Sequence, residues 1–372
     1  MKIDSSARTQ VAVSLIPRLN SNFCLPLFER CGGIEGYFLE NDKALNAIYQ
    51  ELNISANLFD RQKALREADK ELEQIDKHDI RICSAENNTY PDLLRQCEDA
   101  PLVFYYKGNI KTVAKTTFLA IVGTRHASVR CQNKVTSTLD ELSQTGHHFI
   151  IVSGLAYGID ASAHRASLKS GLRTFAVLGH GLHMIYPASH KKMAENILQA
   201  DGALISEFPC ITSIHPSNFL RRNRIIAGLC HATLIAESAE KGGAMSTAHI
   251  ASSYNREVMA FPGRSDDKYS AGCNRLIKEN IAALVDNATD IIHALNIPLT
   301  HIQINQQPPD LFHMNDKTNL LINLIGKKEE ITLDELILLT SISQGELSTL
   351  LLQLELENKI LSLPGKRYTL KN

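Results

Sequence analysis

Residues Ala120 to Asp160, AIVGTRHASVRCQNKVTSTLDELSQTGHHFIIVSGLAYGID, contain two apolar runs, each ending in a glycine turn that opens onto a polar stretch of helical length. The first turn presents Gly123, Thr124 and Arg125, and the second presents Ser153, Gly154, Tyr157 and Gly158. Unpaired N–H groups at the start of a helix, approached closely only where glycine removes the side chain, form a natural phosphate site. Two such turns at one sheet edge point to a nucleotide or a nucleic acid.

A third glycine segment, EKGGAMSTA from Glu240 to Ala248, follows the apolar run ATLIAES. It sets Gly242 and Gly243 before an expected helix whose first turn carries Ser246 and Thr247, placed either to cap that helix or to meet a phosphate. The densest cationic run is FLRRNRIIAGL, with Arg221, Arg222 and Arg224 around Asn223. Arginine offers a planar fork suited to phosphate oxygens, and asparagine can read a base edge or hold a neighbouring loop. A helical period of 3.6 keeps the three arginines from facing one way, so two are expected on phosphate and one in an internal ion pair.

Competing chemistries lack their apparatus. GTRHAS, GLAYGI and GHGLHM all miss the G-x-G-x-x-G spacing of a dinucleotide oxidoreductase. Neither Gly326-Lys327 nor Gly365-Lys366 completes a P-loop. His180, His183 and His190 in GHGLHMIYPASH have no nearby acid or cysteine to complete a metal set; they are expected as polar loop histidines, and no metal or cofactor is expected. His164 follows Asp160 by four residues, a helical spacing that suits a loop-fixing hydrogen bond between them.

The elements that must position these residues follow from charge and apolar patterning. The net charge of −1 conceals an uneven distribution: residues 1–106 carry −5, residues 107–290 carry +6 and residues 291–372 carry −2. Positive charge gathers where the glycine turns lie, as a polyanion site requires. No apolar run reaches membrane-spanning length, and the opening MKIDSSARTQ lacks the layout of a secretory signal. Eight cysteines without a C-x-x-C pair fit a reducing cytoplasm.

Residues 1–78 read as short amphipathic helices turning at Gly32-Gly33, a small acidic helical module expected to serve as scaffold or partner-docking surface. In residues 79–293 the runs FLAIVG, HHFIIVSG, RTFAVLG, GALISEF, ATLIAES and EVMAFPG alternate with amphipathic stretches. Continuous apolar strands separated by helices predict an α/β fold, a doubly wound parallel sheet of Rossmann-like type covered on both faces. Ligands of such sheets bind outside the carboxyl ends of the strands. Residues 294–316, with Pro308-Pro309, read as a linker, and residues 317–372 as three helices and a hairpin, a winged helix. Its expected recognition helix carries Glu346, Glu355 and Glu357 with no basic residue before Lys359, so protein contact is expected rather than groove reading.

Taken together and in order, IVGTR (Ile121–Arg125), SGLAYGIDASAH (Ser153–His164), GHGL followed by YP (Gly179–Pro187), ISEFP (Ile205–Pro209), RNRIIAGL (Arg222–Leu229), GGAMSTA, and FPG followed by GCNRLI make the chain resemble the DNA processing protein A family, also called DprA or Smf. The resemblance spans essentially the whole length. It implies a helical N-terminal module, an extended Rossmann-type domain that binds single-stranded DNA through the glycine turns and arginines above, and a C-terminal winged helix. It also implies protection of incoming single strands and loading of the RecA recombinase in natural transformation, homodimerisation through the Rossmann domain, and no established enzymatic activity. Leu276 and Ile277, with Ala282, Ala283 and Leu284, are candidates either for the dimer contact or for covering the protomer's own sheet.

The chain departs from the family pattern at Tyr157, where arginine is usual, at Leu220 for proline, at Ala244 for serine, and at His183 and His190 for an aspartate and an asparagine. Tyr157 removes one cation and could stack on a base instead. The alternative function is a nucleotide-processing enzyme resembling phosphoribohydrolases. Glu237 and Glu240 are its candidate acids, although the P-G-G-x-G-T-x-x-E pattern is missing.

Overall fold

The apolar runs of the middle section form one sheet. Its strands are β1 (Arg81–Ser84), β2 (Val103–Gly108), β3 (Thr117–Gly123), β4 (Phe149–Ser153), β5 (Arg173–Val177), β6 (Ala203–Ser206), β7 (Ala232–Glu237), β8 (Glu257–Ala260) and β9 (Ala283–Leu284), in the order β1-β2-β6-β5-β4-β3-β7-β8-β9. The structure, a computed structural model, describes residues 5–16, 19, 24–55, 59–298, 316–328, 330–340 and 342–371. Contacts divide the chain into two units, residues 1–303 and 304–372. Most of the expected linker, residues 299–315, lies outside the described residues.

The seven strands from β3 to β9 pair in parallel, as their continuous apolar character predicts. β1 and β2 form an antiparallel pair that extends the β6 edge. Their connection holds only the four-residue helix α6 (Asp92–Arg95), too short to carry the chain across the sheet for a parallel return. Alternate side chains of β3 enter two separate cores: Leu119 and Ile121 meet one face, Ala120 and Val122 the other. Helices α7 (Val129–Ser143) and α8 (Ile159–Lys169) pack together with the first core, while α10 (Pro216–Gly228) and α11 (Gly243–Ser253) pack together with the second.

Among the described residues the first section folds as five helices, α1 (Ser5–Leu15), α2 (Leu25–Cys31), α3 (Ile34–Leu39), α4 (Asp42–Glu51) and α5 (Arg61–Lys77). Gly32 and Gly33 turn the chain between α2 and α3 with φ of 78° and 108°, a region that favours glycine. The apolar faces of these helices, including Val11, Leu27 and Tyr37, run into the same core as Phe104 and Tyr105 of β2. Buried Glu71 on α5 accepts from the N–H groups of Cys210 and Ile211 in the loop after β6. The change in sequence character at residue 78 is therefore not a break in the core.

The second unit comprises α14 (Asp316–Gly326), β10 (Ile331–Thr332), α15 (Leu333–Thr340), α16 (Gln344–Leu356), β11 (Ile360–Leu363) and β12 (Arg367–Leu370). Its sheet runs β10-β12-β11 over a core that includes Leu321, Leu336, Leu347, Leu351 and Ile360, a winged helix. Among the described residues, no helix is long and apolar enough to cross a membrane.

Candidate functional site

β3 lies between β4 and β7, and the helices that follow these two strands, α8 and α11, cover opposite faces of the sheet. The loops at the carboxyl end of β3 therefore diverge and leave a crevice, the position at which such sheets bind ligands. On the α7–α8 side of the β3 end, an open cleft of about 680 Å³ has Arg125, His126, Gln132, Tyr157, Gly158, Arg165 and His190 in its wall. None of the described residues that line it is acidic.

The cleft begins where the two glycine turns touch. Gly158 caps α8 with φ of 79°, and a Cβ there would overlap the Thr124 carbonyl and the Arg125 backbone. Close approach lets the Ile159 N–H donate to the Thr124 carbonyl at 3.1 Å. The N–H groups of Arg125, Tyr157 and Gly158 have no acceptor among the described residues. They add to the positive end of the α8 dipole at the cleft wall. Tyr157 is 51 % exposed, its ring edge-on to His190 at 4.9 Å and its hydroxyl 3.0 Å from Ser189 Oγ.

Several expected phosphate contacts instead build the floor beneath these loops. Arg222 is only 4 % exposed; its Nη1 donates to the carbonyls of Gly154, at 2.7 Å, and Val177, and its Nε to Asn223 Oδ1 at 3.2 Å. A Cβ on Gly154 would overlap the Arg222 guanidinium, so this glycine makes room for an arginine rather than a phosphate. Gly123 likewise permits packing, since a Cβ there would lie 2.7 Å from the Glu237 carbonyl oxygen. Ser153 is fully buried and donates to the Ile121 carbonyl at 2.6 Å, and Thr124 Oγ1 accepts from the His126 N–H at 3.1 Å.

The expected Asp160–His164 bond is absent. Asp160 Oδ2 accepts from the N–H groups of Gly154 (3.2 Å) and Ala156 (3.4 Å), which fixes the second turn from below. Burial pushes the Asp160 carboxyl up, opposed by the Arg222 charge, and burial pulls the Arg222 guanidinium down, opposed by Asp160. His164 pairs through Nδ1 with Thr174 Oγ1 at 2.7 Å, and burial lowers its pKa to about 3, leaving it neutral.

Two of the three arginines engage an acid, where one ion pair was expected. Glu207, at the end of β6, is buried; Arg224 and Arg221 both pair with its Oε2, the latter at 2.8 Å. Burial pushes the Glu207 carboxyl up, and the two arginines oppose that shift. Arg224 also donates to the Asp99 carbonyl. Arg221 keeps a 47 % exposed side chain, so the solvent-facing cation of the run is Arg221, not Arg222.

The third glycine segment stands apart. Gly242, Gly243, Ser246 and Thr247 are not among the residues that line the cleft, and Thr247 is buried. A Cβ on Gly242 would overlap Ser238 Oγ, so its role here is closure of the turn before α11. Leu276, on α12 (Ala271–Lys278), is fully buried in the protomer's own core, with Ile277 packed against that core; Leu284 on the edge strand β9 is exposed. The alternative of self-coverage thus holds for Leu276.

Arg165, His126 and Gln132 join the cleft without having been singled out from the sequence. Arg165 was legible in principle: it lies seven residues after Gly158, two helical turns along the same face of α8. His190, expected only as a loop histidine, bonds the Leu155 carbonyl at 2.8 Å through Nδ1 and so anchors the loop after β4 as well as lining the cleft.

Residues 81–296 match the family described as DNA recombination-mediator protein A, and residues 305–366 match the DprA winged helix domain. The chain is 30 % identical over 328 residues to Protein Smf of Synechocystis sp., covering 80 % of this chain and 82 % of that one. It is 33 % identical over 299 residues to Protein Smf of Escherichia coli, covering 79 % and 78 % respectively. Its structure is similar to that of DNA processing protein A (DprA) from Streptococcus pneumoniae, with a TM-score of 0.63 and 29 % identity, covering 79 % of this chain and 98 % of that one. It is also similar to DNA processing protein A from Helicobacter pylori, whose structure concerns its single-stranded DNA binding mode, with a TM-score of 0.51 and 28 % identity, covering 58 % and 96 %. With the sheet, the glycine turns and the winged helix all in the places that match requires, the chain belongs to the DNA recombination-mediator protein A family.

Proposed function

We propose that this protein binds single-stranded DNA without sequence preference, with strand phosphates in the cleft at the carboxyl ends of β3 and β4. The observation that carries the reading is the cleft's composition: Arg125 and Arg165, unpaired N–H groups at a helix start, an exposed tyrosine, and no acidic wall residue among those described. Cations and amide donors hold a backbone phosphate whatever the base, and an aromatic face accepts any base. The printed description of the Helicobacter pylori relative supports the same class of ligand.

Binding rather than catalysis is the reading because the two candidate acids lie outside the cleft lining. Glu237 Oε2 accepts from the Ser128 N–H at 2.7 Å, and neither Glu237 nor Glu240 lines the cleft. Within this proposal the protein acts in the cytoplasm as a homodimer that protects incoming single strands in natural transformation and loads the RecA recombinase. Exposed Leu284 on the edge strand β9, with the partly buried Ile277 and Ala283, is the apolar candidate for the dimer contact.

The test is fluorescence anisotropy with single-stranded and duplex DNA across a salt series. Arg125→Ala and Arg165→Ala should each weaken single-strand binding for all sequences, and each lost phosphate contact should flatten the log–log salt slope by about 0.7. Unchanged slopes in both variants, or a preference for duplex, would overturn the proposal.

A further inference from the structure

Beyond Tyr157 the cleft gives the bases of a bound strand no aromatic support among the described residues, and near the cleft the fold exposes aromatic surface that its core does not use. Tyr186 is 49 % exposed, its ring 5.8 Å from that of half-buried Phe219 at 44°, and Leu220, 56 % exposed, continues the patch. The position of this pair is built in. The Tyr186 N–H donates to His180 Nε2 at 3.2 Å, while His180 Nδ1 bonds the Gly181 carbonyl at 3.0 Å. Since the Tyr186 N–H can only donate and the Gly181 carbonyl can only accept, Nδ1 carries the proton and Nε2 accepts; burial lowers the pKa of this ring. Gly179 makes room for Phe219, because a Cβ there would lie 2.8 Å from its ring.

The loop that carries Tyr186 also reaches the cleft. Ser189, three residues after Tyr186, meets the hydroxyl of the cleft residue Tyr157 at 3.0 Å, and the next residue, His190, lines the cleft itself. Arg221 follows Leu220 in sequence and keeps a half-exposed side chain, paired with Glu207 at 2.8 Å. An exposed aromatic surface beside a cationic cleft has the chemistry of a base-stacking platform along a phosphate track, since every base offers a π face.

We propose that Tyr186 and Phe219 form a stacking ledge for unpaired bases of the strand whose phosphates occupy the cleft, an inference that rests on the single-stranded DNA reading. The ledge extends the binding path from Tyr157 past Ser189 to Tyr186. It contributes affinity that depends on the presence of bases and not on their identity.

The chain contains no tryptophan, so Tyr186→Trp supplies a sole reporter. Its emission should be quenched by an oligodeoxythymidylate and unchanged by an abasic strand of equal length and charge. Tyr186→Ala should weaken oligodeoxythymidylate binding about ten-fold and leave abasic binding unaltered, with Tyr186→Phe retaining wild-type affinity. Arg125→Ala should weaken both ligands. If the wild-type protein binds neither strand, the single-stranded DNA reading itself fails. If it binds and Tyr186→Ala weakens both ligands equally or neither, or Tyr186→Trp stays unquenched at saturation, the ledge alone is overturned.

Discussion

Arg222 carries a full charge in a place where water cannot reach it, and its partners explain why. The guanidinium ties the end of β5 to the turn after β4 through two carbonyls, with Asp160 supplying the opposite charge nearby. Removing one member of a buried charge pair leaves the other uncompensated. Arg222→Ala should therefore destabilise the protein by about 3–5 kcal/mol in urea unfolding. Arg222→Lys should restore only part of this, because a single ammonium cannot also replace the Nε donation to Asn223 Oδ1. An alanine variant with the wild-type urea midpoint would remove the strut role. Arg125 and Arg165 differ by position alone: the same kind of side chain, at an open cleft, is available to a ligand.

At the level of elements, α5 determines more than its charged sequence suggests. Glu71 is the one fully buried acid of that helix, and its two oxygens receive the consecutive N–H groups of Cys210 and Ile211. The loop after β6 is thereby fixed between the sheet and the helical section. Glu71→Ala should cost about 1–3 kcal/mol for the stranded Cys210 amide and accelerate hydrogen exchange at residues 210 and 211. Glu71→Gln keeps one carbonyl oxygen as acceptor and should cost less. Exchange at both amides unchanged in the alanine variant would mean that the helix does not hold this loop.

For the whole molecule, the two units carry separate cores, and their surfaces differ in kind. Helix α16 has no basic residue, and Leu352 and Leu356 stand 57 % and 76 % exposed on it. A phosphate-tracking or groove-reading helix needs cations, whereas exposed leucines suit a protein surface. Deleting residues 304–372 should leave affinity for single-stranded DNA within about two-fold and its salt slope unchanged, because the counterions released on binding come from the first unit. A loss of ten-fold or more would place part of the DNA site in the winged helix.

The elements were legible because apolar periodicity and glycine turns are properties of short stretches of chain. The runs from FLAIVG to EVMAFPG fold as β3 to β8, and the segments after the linker fold as three helices and a hairpin, as read from the sequence alone. Arg125, Tyr157 and Gly158, read from the strand ends that present them, line one cleft. The antiparallel β1–β2 edge and the strand order were not legible, since pairing joins segments far apart in sequence. Solvation is decided the same way. Arg221 and Arg222 are identical neighbours, yet 68 residues separate Arg222 from the Gly154 carbonyl that buries its charge. The glycines carry the same lesson: Gly123 and Gly154 were chosen by what packs against them, Glu237 and Arg222, and no local pattern states which distant group will occupy the space a missing Cβ leaves.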